Sequence, residues 1–105
     1  MILEKTFGET VRKLRDERQL RLREVADALK IDISTLAKIE KNTRKPTKQV
    51  IEKLAMYFSV NEKDLMVAFI SDSVAYQVMD EEEFATEVLK VAEQKVQYLK
   101  TKKTS

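Results

Sequence analysis

Residues 21–46, RLREVADALKIDISTLAKIEKNTRKP, decide the fold. Leu22, Val25, Ala26 and Leu29 recur at spacings of three and four, which predicts a short amphipathic helix over 22–29. Leu36 and Ile39 give a second helix over 33–41, with only Lys30, Ile31 and Asp32 between the two. Asp32 suits an N-cap, because a short carboxylate can accept from an exposed N–H of the next turn. Asn42 suits the left-handed residue that ends a helix. Residues 43–46, TRKP, then form a basic loop that closes on the chain's one proline, Pro46.

Two short helices joined by a tight connection have the layout of a helix-turn-helix, in which one helix braces and the next enters the DNA major groove. The expectation is therefore a DNA reader. An enzyme is disfavoured, because the chain has no His, no Cys and no glycine-rich phosphate loop.

Outward from this segment the pattern stays helical. Thr6 and Glu9 make a capping-box pair that opens a first helix over about 7–19, with Phe7, Val11 and Leu14 inward and Leu20 entering the core at its end. Thr47 caps a fourth helix with an apolar stripe of Val50, Ile51, Leu54, Ala55 and Phe58. Asn61 and Asp64 open a short fifth helix, with Leu65, Phe69 and Met66 inward, ending near Ile70. One Gly and one Pro in 105 residues fit helices almost throughout. The fold class expected is all-α: a five-helix DNA-binding domain over 1–70 and a C-terminal helical extension over 71–105.

Net charge is only +2, but it is unevenly placed. Residues 1–58 carry 14 Lys/Arg against 9 Asp/Glu, and residues 59–105 carry 6 against 9. The basic half holds the helix pair, and polyanion binding follows the local field more than the total. No apolar run approaches the ~18 residues of a membrane span. The N-terminus, MILEKTFGET, lacks a secretion pattern. A cytoplasmic protein is expected, with no membrane partner, cofactor, metal or small-molecule ligand.

In the extension, Val74, Ala75 and Val78 continue the apolar pattern, and Asp80 with Glu83 reads as the cap of a new helix. The run Asp80–Glu83 suits a helix start better than a metal site, since nothing supplies convergent ligands. Beyond it, Phe84, Val88, Leu89, Val91, Ala92, Val96 and Leu99 form a broad apolar face with four-three spacing. Such a face suits pairing with a second copy, so a homodimer is expected. The last six residues, KTKKTS, read as a frayed tail.

Over about residues 7–66 the chain resembles the Xre/lambda-repressor-like family. The landmarks are Val25-Ala26, Ser34-Thr35-Leu36, Ile39-Glu40 and the loop Asn42-Thr43-Arg44-Lys45-Pro46. The resemblance implies a five-helix fold with the third helix reading DNA. It places Ile33, Ser34, Ala37 and Lys38 at base edges, and Lys41, Asn42, Thr43, Arg44 and Lys45 at phosphates. It pairs Arg15 with Glu40 as a structural tie. The chain departs from the family pattern at Leu22, where a phosphate-clamping Gln is common, and at Lys30 and Asn42, where Gly is common.

Each groove-face residue has its own chemistry. Lys38 can donate to guanine O6 or N7, Ser34 can bond either base type, and Ile33 and Ala37 can pack on a thymine methyl. Lys48 adds to the phosphate-facing cluster. The function expected is a sequence-specific transcriptional regulator that binds a pseudo-palindromic operator as a homodimer. Among such regulators the resemblance favours a restriction-modification controller. The competing reading is a protein-interaction adaptor that no longer reads DNA, with Leu22, Ile33 and Ala37 forming an apolar docking face.

Overall fold

A computed structural model describes residues 5–104. The reading of the first four residues and of Ser105 lies outside them. Among the described residues the chain is all helical: α1 (Phe7–Glu17), α2 (Leu22–Leu29), α3 (Ile33–Glu40), α4 (Lys48–Phe58), α5 (Glu62–Val78), a 3₁₀ turn (Met79–Glu81) and α6 (Ala85–Thr104). The chain divides into two units, residues 1–72 and 73–105.

The first unit has one core. Phe7, Val11, Val25, Leu29, Leu36, Ile39, Ile51, Leu54, Phe58 and Leu65 are all at most 2% exposed. Each helix places these residues three or four apart, so the stripes read from the sequence are the faces that meet. Leu14, Leu20, Leu22, Ile31, Val50, Val60, Met66 and Phe69 seal the edge of this core.

Helix ends follow a common plan. α1, α2, α3 and α4 each close through a left-handed residue, and none of the four is Gly: Gln19 (φ 53°), Lys30 (58°), Asn42 (62°) and Ser59 (55°). In each case the next residue's N–H reaches back to the helix: Leu20 to Arg15, Ile31 to Ala26, Thr43 to Lys38 and Val60 to Ala55. This is the Schellman arrangement, which satisfies carbonyls that the helix leaves open. In three of the four the residue after the left-handed one is apolar and packs on the core: Leu20, Ile31 and Val60. That apolar anchor holds a backbone conformation that costs a side-chain-bearing residue ~1–2 kcal/mol.

Side chains from other helices finish the remaining ends. Lys53 Nζ donates to the Leu29 carbonyl at 3.2 Å. The Arg18 guanidinium donates to the Phe58 carbonyl at 2.9 Å and lies 5.2 Å from the centre of the Phe58 ring. Thr6, Thr47 and Asn61 accept from the N–H groups of Glu9, Val50 and Asp64, as their capping patterns predict.

Several details differ from the sequence reading. α1 ends at Glu17 rather than near Gln19, because the closing turn takes Arg18 and Gln19 out of the helix. Asp32 stands at the N-cap of α3 but makes no side-chain cap bond, so the helix starts on backbone geometry alone. α5 does not stop near Ile70 but runs to Val78. No breaker stands at 71–78, and Asp72 finds a partner on α1. The Asp80/Glu83 cap is not used; a 3₁₀ turn intervenes, and the Phe84 carbonyl accepts from Val88 N–H to open α6. Consecutive carboxylates at the negative end of α5 disfavour continued helix there.

In the second unit α6 is helical through Thr104, where the sequence suggested an irregular tail. Lys102 and Lys103 complement the negative end of the helix dipole, and Lys102 Nζ lies 5.9 Å from the centre of the Tyr98 ring. Most apolar side chains of this unit are exposed. Phe84, Val88, Leu89, Val91, Val96 and Leu99 are all 41–59% exposed. No helix among the described residues is long and apolar enough to cross a membrane.

Candidate nucleic-acid interface

α3 has two faces. Leu36, Ile39 and Glu40 are buried, which turns Ile33, Ser34 and Lys38 outward, with Ala37 half-buried between them. Ile33 is 45% exposed, a high value for a residue that would otherwise belong in a core. The four positions assigned to base edges therefore share one side of one helix, at spacings of one, four and five. Leu22 is half-buried and packs on the core, so it does not join Ile33 and Ala37 in an exposed apolar face.

The loop after α3 follows directly. Lys41, Asn42, Thr43, Arg44 and Lys45 are all exposed. The Thr43 hydroxyl donates to the Lys38 carbonyl at 3.2 Å, reinforcing the helix end. Arg44 folds back along α3 and donates to the Thr35 hydroxyl at 3.3 Å. Asn42 behaves differently from its neighbours. Its side-chain carbonyl accepts from Gly8 N–H at 3.0 Å, and its amide donates to the Thr6 hydroxyl at 2.9 Å.

Electrostatics follow from one pairing. Between residues 33 and 51 the basic residues are Lys38, Lys41, Arg44, Lys45 and Lys48, and Glu40 is the single acid. Glu40 is withdrawn into the fold. Arg15 grips it through two bonds, Nε to Oε2 at 2.8 Å and Nη2 to Oε1 at 3.0 Å. A third bond runs from Arg15 Nη1 to the Leu20 carbonyl at 2.9 Å. The side chains are 13% and 6% exposed. Its hydrogen bonds to the Glu40 carboxylate raise the arginine's pKa above its usual value, against the opposing effect of burial. Lys38, Lys41, Arg44, Lys45 and Lys48 take part in none of the ion pairs among the described residues. Their charge faces solvent uncompensated, the field a polyanion seeks.

Sequence reasoning missed two residues that shape this surface. Gly8 carries α1 against the end of α3. A Cβ there would sit 2.5 Å from the Glu40 carbonyl oxygen and 2.6 Å from that of Ile39. Asp72 reaches from α5 to accept from Phe7 N–H at 2.7 Å, beside an edge-to-face contact of the Phe7 and Phe69 rings at 5.6 Å. The one signal for Gly8 was its rarity in a chain with a single glycine.

A family profile described as a helix-turn-helix domain matches residues 8–68. The chain belongs to that family. It is 33% identical over 69 residues to the HTH-type transcriptional regulator DdrOP3 of Deinococcus deserti, a match covering 64% of this chain and 54% of that protein. It is 36% identical over 67 residues to the cryptic phage CTXphi transcriptional repressor RstR of Vibrio cholerae, covering 64% and 57%. The chain thus spans little more than half the length of these relatives, both of which are named as regulators of transcription rather than enzymes. In fold it is similar to the clp gene regulator ClgR of Corynebacterium glutamicum, with a TM-score of 0.56 at 20% identity over 88% of this chain and 95% of that one.

Proposed function

We propose that this protein is a DNA-binding transcriptional regulator that places α3 in the major groove, working where the cell's DNA lies. The observation that carries the reading is the outer side of α3: exposed Ile33, Ser34 and Lys38 with half-buried Ala37 between them, bordered by cations that have no carboxylate partners among the described residues. A protein-docking face would be expected to present contiguous apolar area, and Leu22 is not available to build one. In this reading Lys38 donates to a guanine, Ser34 bonds a base edge, and Ile33 and Ala37 lie against thymine methyls. Lys41, Thr43, Arg44 and Lys45 engage phosphates and set the docking register.

The regulator acts as a homodimer. The uncovered apolar side of α6 supports this, since such a face is stable in water only when another helix covers it. Two readers then meet two half-sites about one helical turn, ~34 Å, apart on one side of the duplex. The name of one relative, a phage transcriptional repressor, favours repression over the restriction-modification controller role suggested by the resemblance.

Gel retardation with a random-sequence duplex pool, at low and moderate salt, tests the reading. Specific complexes that weaken steeply with salt are expected, because several phosphate contacts release counterions. Failure to retain any duplex at low salt refutes it.

A further inference from the structure

The head of α1 carries three N–H groups that its own helix cannot satisfy. Each is met by a different part of the fold. Phe7 N–H donates to Asp72, Gly8 N–H to Asn42 Oδ1 at 3.0 Å, and Glu9 N–H to Thr6 at 3.3 Å. Asn42 also donates through Nδ2 to the Thr6 hydroxyl at 2.9 Å, while its own backbone N–H bonds the Ile39 carbonyl. This bonding fixes the orientation of the amide: reversed, it would set an NH₂ against the Gly8 N–H. A phosphate oxygen accepts hydrogen bonds and needs a donor. Here the amide carbonyl faces α1 and one of the two amide hydrogens is given to Thr6, so a single N–H is left to face solvent while two bonds tie the side chain to α1 and its cap.

We propose that Asn42 is a positioning residue rather than a phosphate contact. It clips the end of α3 to the head of α1 and thereby fixes where Thr43, Arg44 and Lys45 stand. Gly8 makes the clip possible, since a Cβ there would lie 2.6 Å from Asn42 Oδ1. The purpose of the clip rests on the DNA-binding reading, but the clip itself is a property of the free protein. Asn42 is left-handed at φ 62°, a conformation that Gly adopts without strain. Asn42→Gly therefore removes the side chain while keeping the backbone path.

The test uses the full ¹⁵N-labelled chain. Asn42→Gly is expected to keep the helical circular dichroism of the parent. Its Gly8 amide should exchange with solvent about tenfold faster, the loss of one part-buried hydrogen bond. Backbone order parameters at 43–45 should fall from ~0.85 toward 0.6. Asn42→Asp keeps an oxygen acceptor and should restore Gly8 protection. On duplexes enriched by the parent protein, Asn42→Gly should bind several-fold more weakly with an unchanged salt slope. Unchanged Gly8 exchange and unchanged loop order in Asn42→Gly overturn the proposal, and weaker DNA binding in that setting would make Asn42 a direct contact. If the parent retains no duplex, the DNA reading fails, while the exchange and relaxation data still decide the clip.

Discussion

Replacing Gly8 by Ala sets two effects of opposite sign against each other. Ala is the better helix former by ~1 kcal/mol, so helix propensity alone predicts a more stable protein. The structure predicts the reverse. The added Cβ would stand 2.5 Å from the Glu40 carbonyl oxygen and 2.6 Å from both the Ile39 carbonyl oxygen and Asn42 Oδ1. Two of these three atoms are backbone at the end of a packed helix, so α1 and α3 must separate by about 0.9 Å to reach ordinary contact. Overpacking of this kind costs ~1–3 kcal/mol. The same shift lengthens the Gly8–Asn42 bond and loosens the Arg15–Glu40 grip, adding ~1–2 kcal/mol. With propensity subtracted, the expected loss is about 1–4 kcal/mol, a drop in Tm of at least ~4 °C for a domain of this size. Urea unfolding followed by far-ultraviolet circular dichroism measures it, as a lower midpoint at unchanged slope. A Gly8→Ala variant as stable as the parent, or more so, would refute the tight α1–α3 approach.

Other perturbations probe separate parts of the account. Glu40→Ala strands the mostly buried Arg15 cation and should cost about 3 kcal/mol in a urea midpoint experiment, with Arg15→Ala comparable and the double variant less than additive. Lys30→Gly relieves a left-handed residue, and its thermal midpoint should rise with a gain of ~0.5–1 kcal/mol; a loss of stability would show that the αL geometry at Lys30 carries no strain. Leu89→Glu with Val96→Glu in the full chain should sediment as a monomer with helical content kept, and a persistent dimer would place the interface elsewhere.

Local patterns were legible where the physics is local. The ends of α2, the caps Thr6, Thr47 and Asn61, and the core stripe of α4 follow from spacing and capping chemistry within a few residues. The Arg15–Glu40 tie was visible through the family resemblance, and the structure supplies its geometry. What escaped depends on residues far apart in the chain. Asp72 caps a helix 65 residues earlier, and Asn42 bonds one 34 residues earlier. Neither partner leaves a local trace. The length of α5 belongs here too, because the contact with α1 near Asp72 lies beyond the point where the capping pattern looked complete. Left-handed Lys30 was visible only as a position where the family commonly has Gly, and left-handed Gln19 and Ser59 were hidden for another reason: the signal was the apolar residue after each, which holds the turn in place of a glycine.

Base reading by the outer side of α3 is what every other inference about DNA depends on. Parallel selection of duplexes from a random pool by the parent protein and by Lys38→Ala tests it most directly. A pseudo-palindromic motif is expected for the parent, and loss of preference at one position per half-site for the variant, with the other positions kept. Identical motifs for the two proteins, or no enriched motif for the parent, would contradict it.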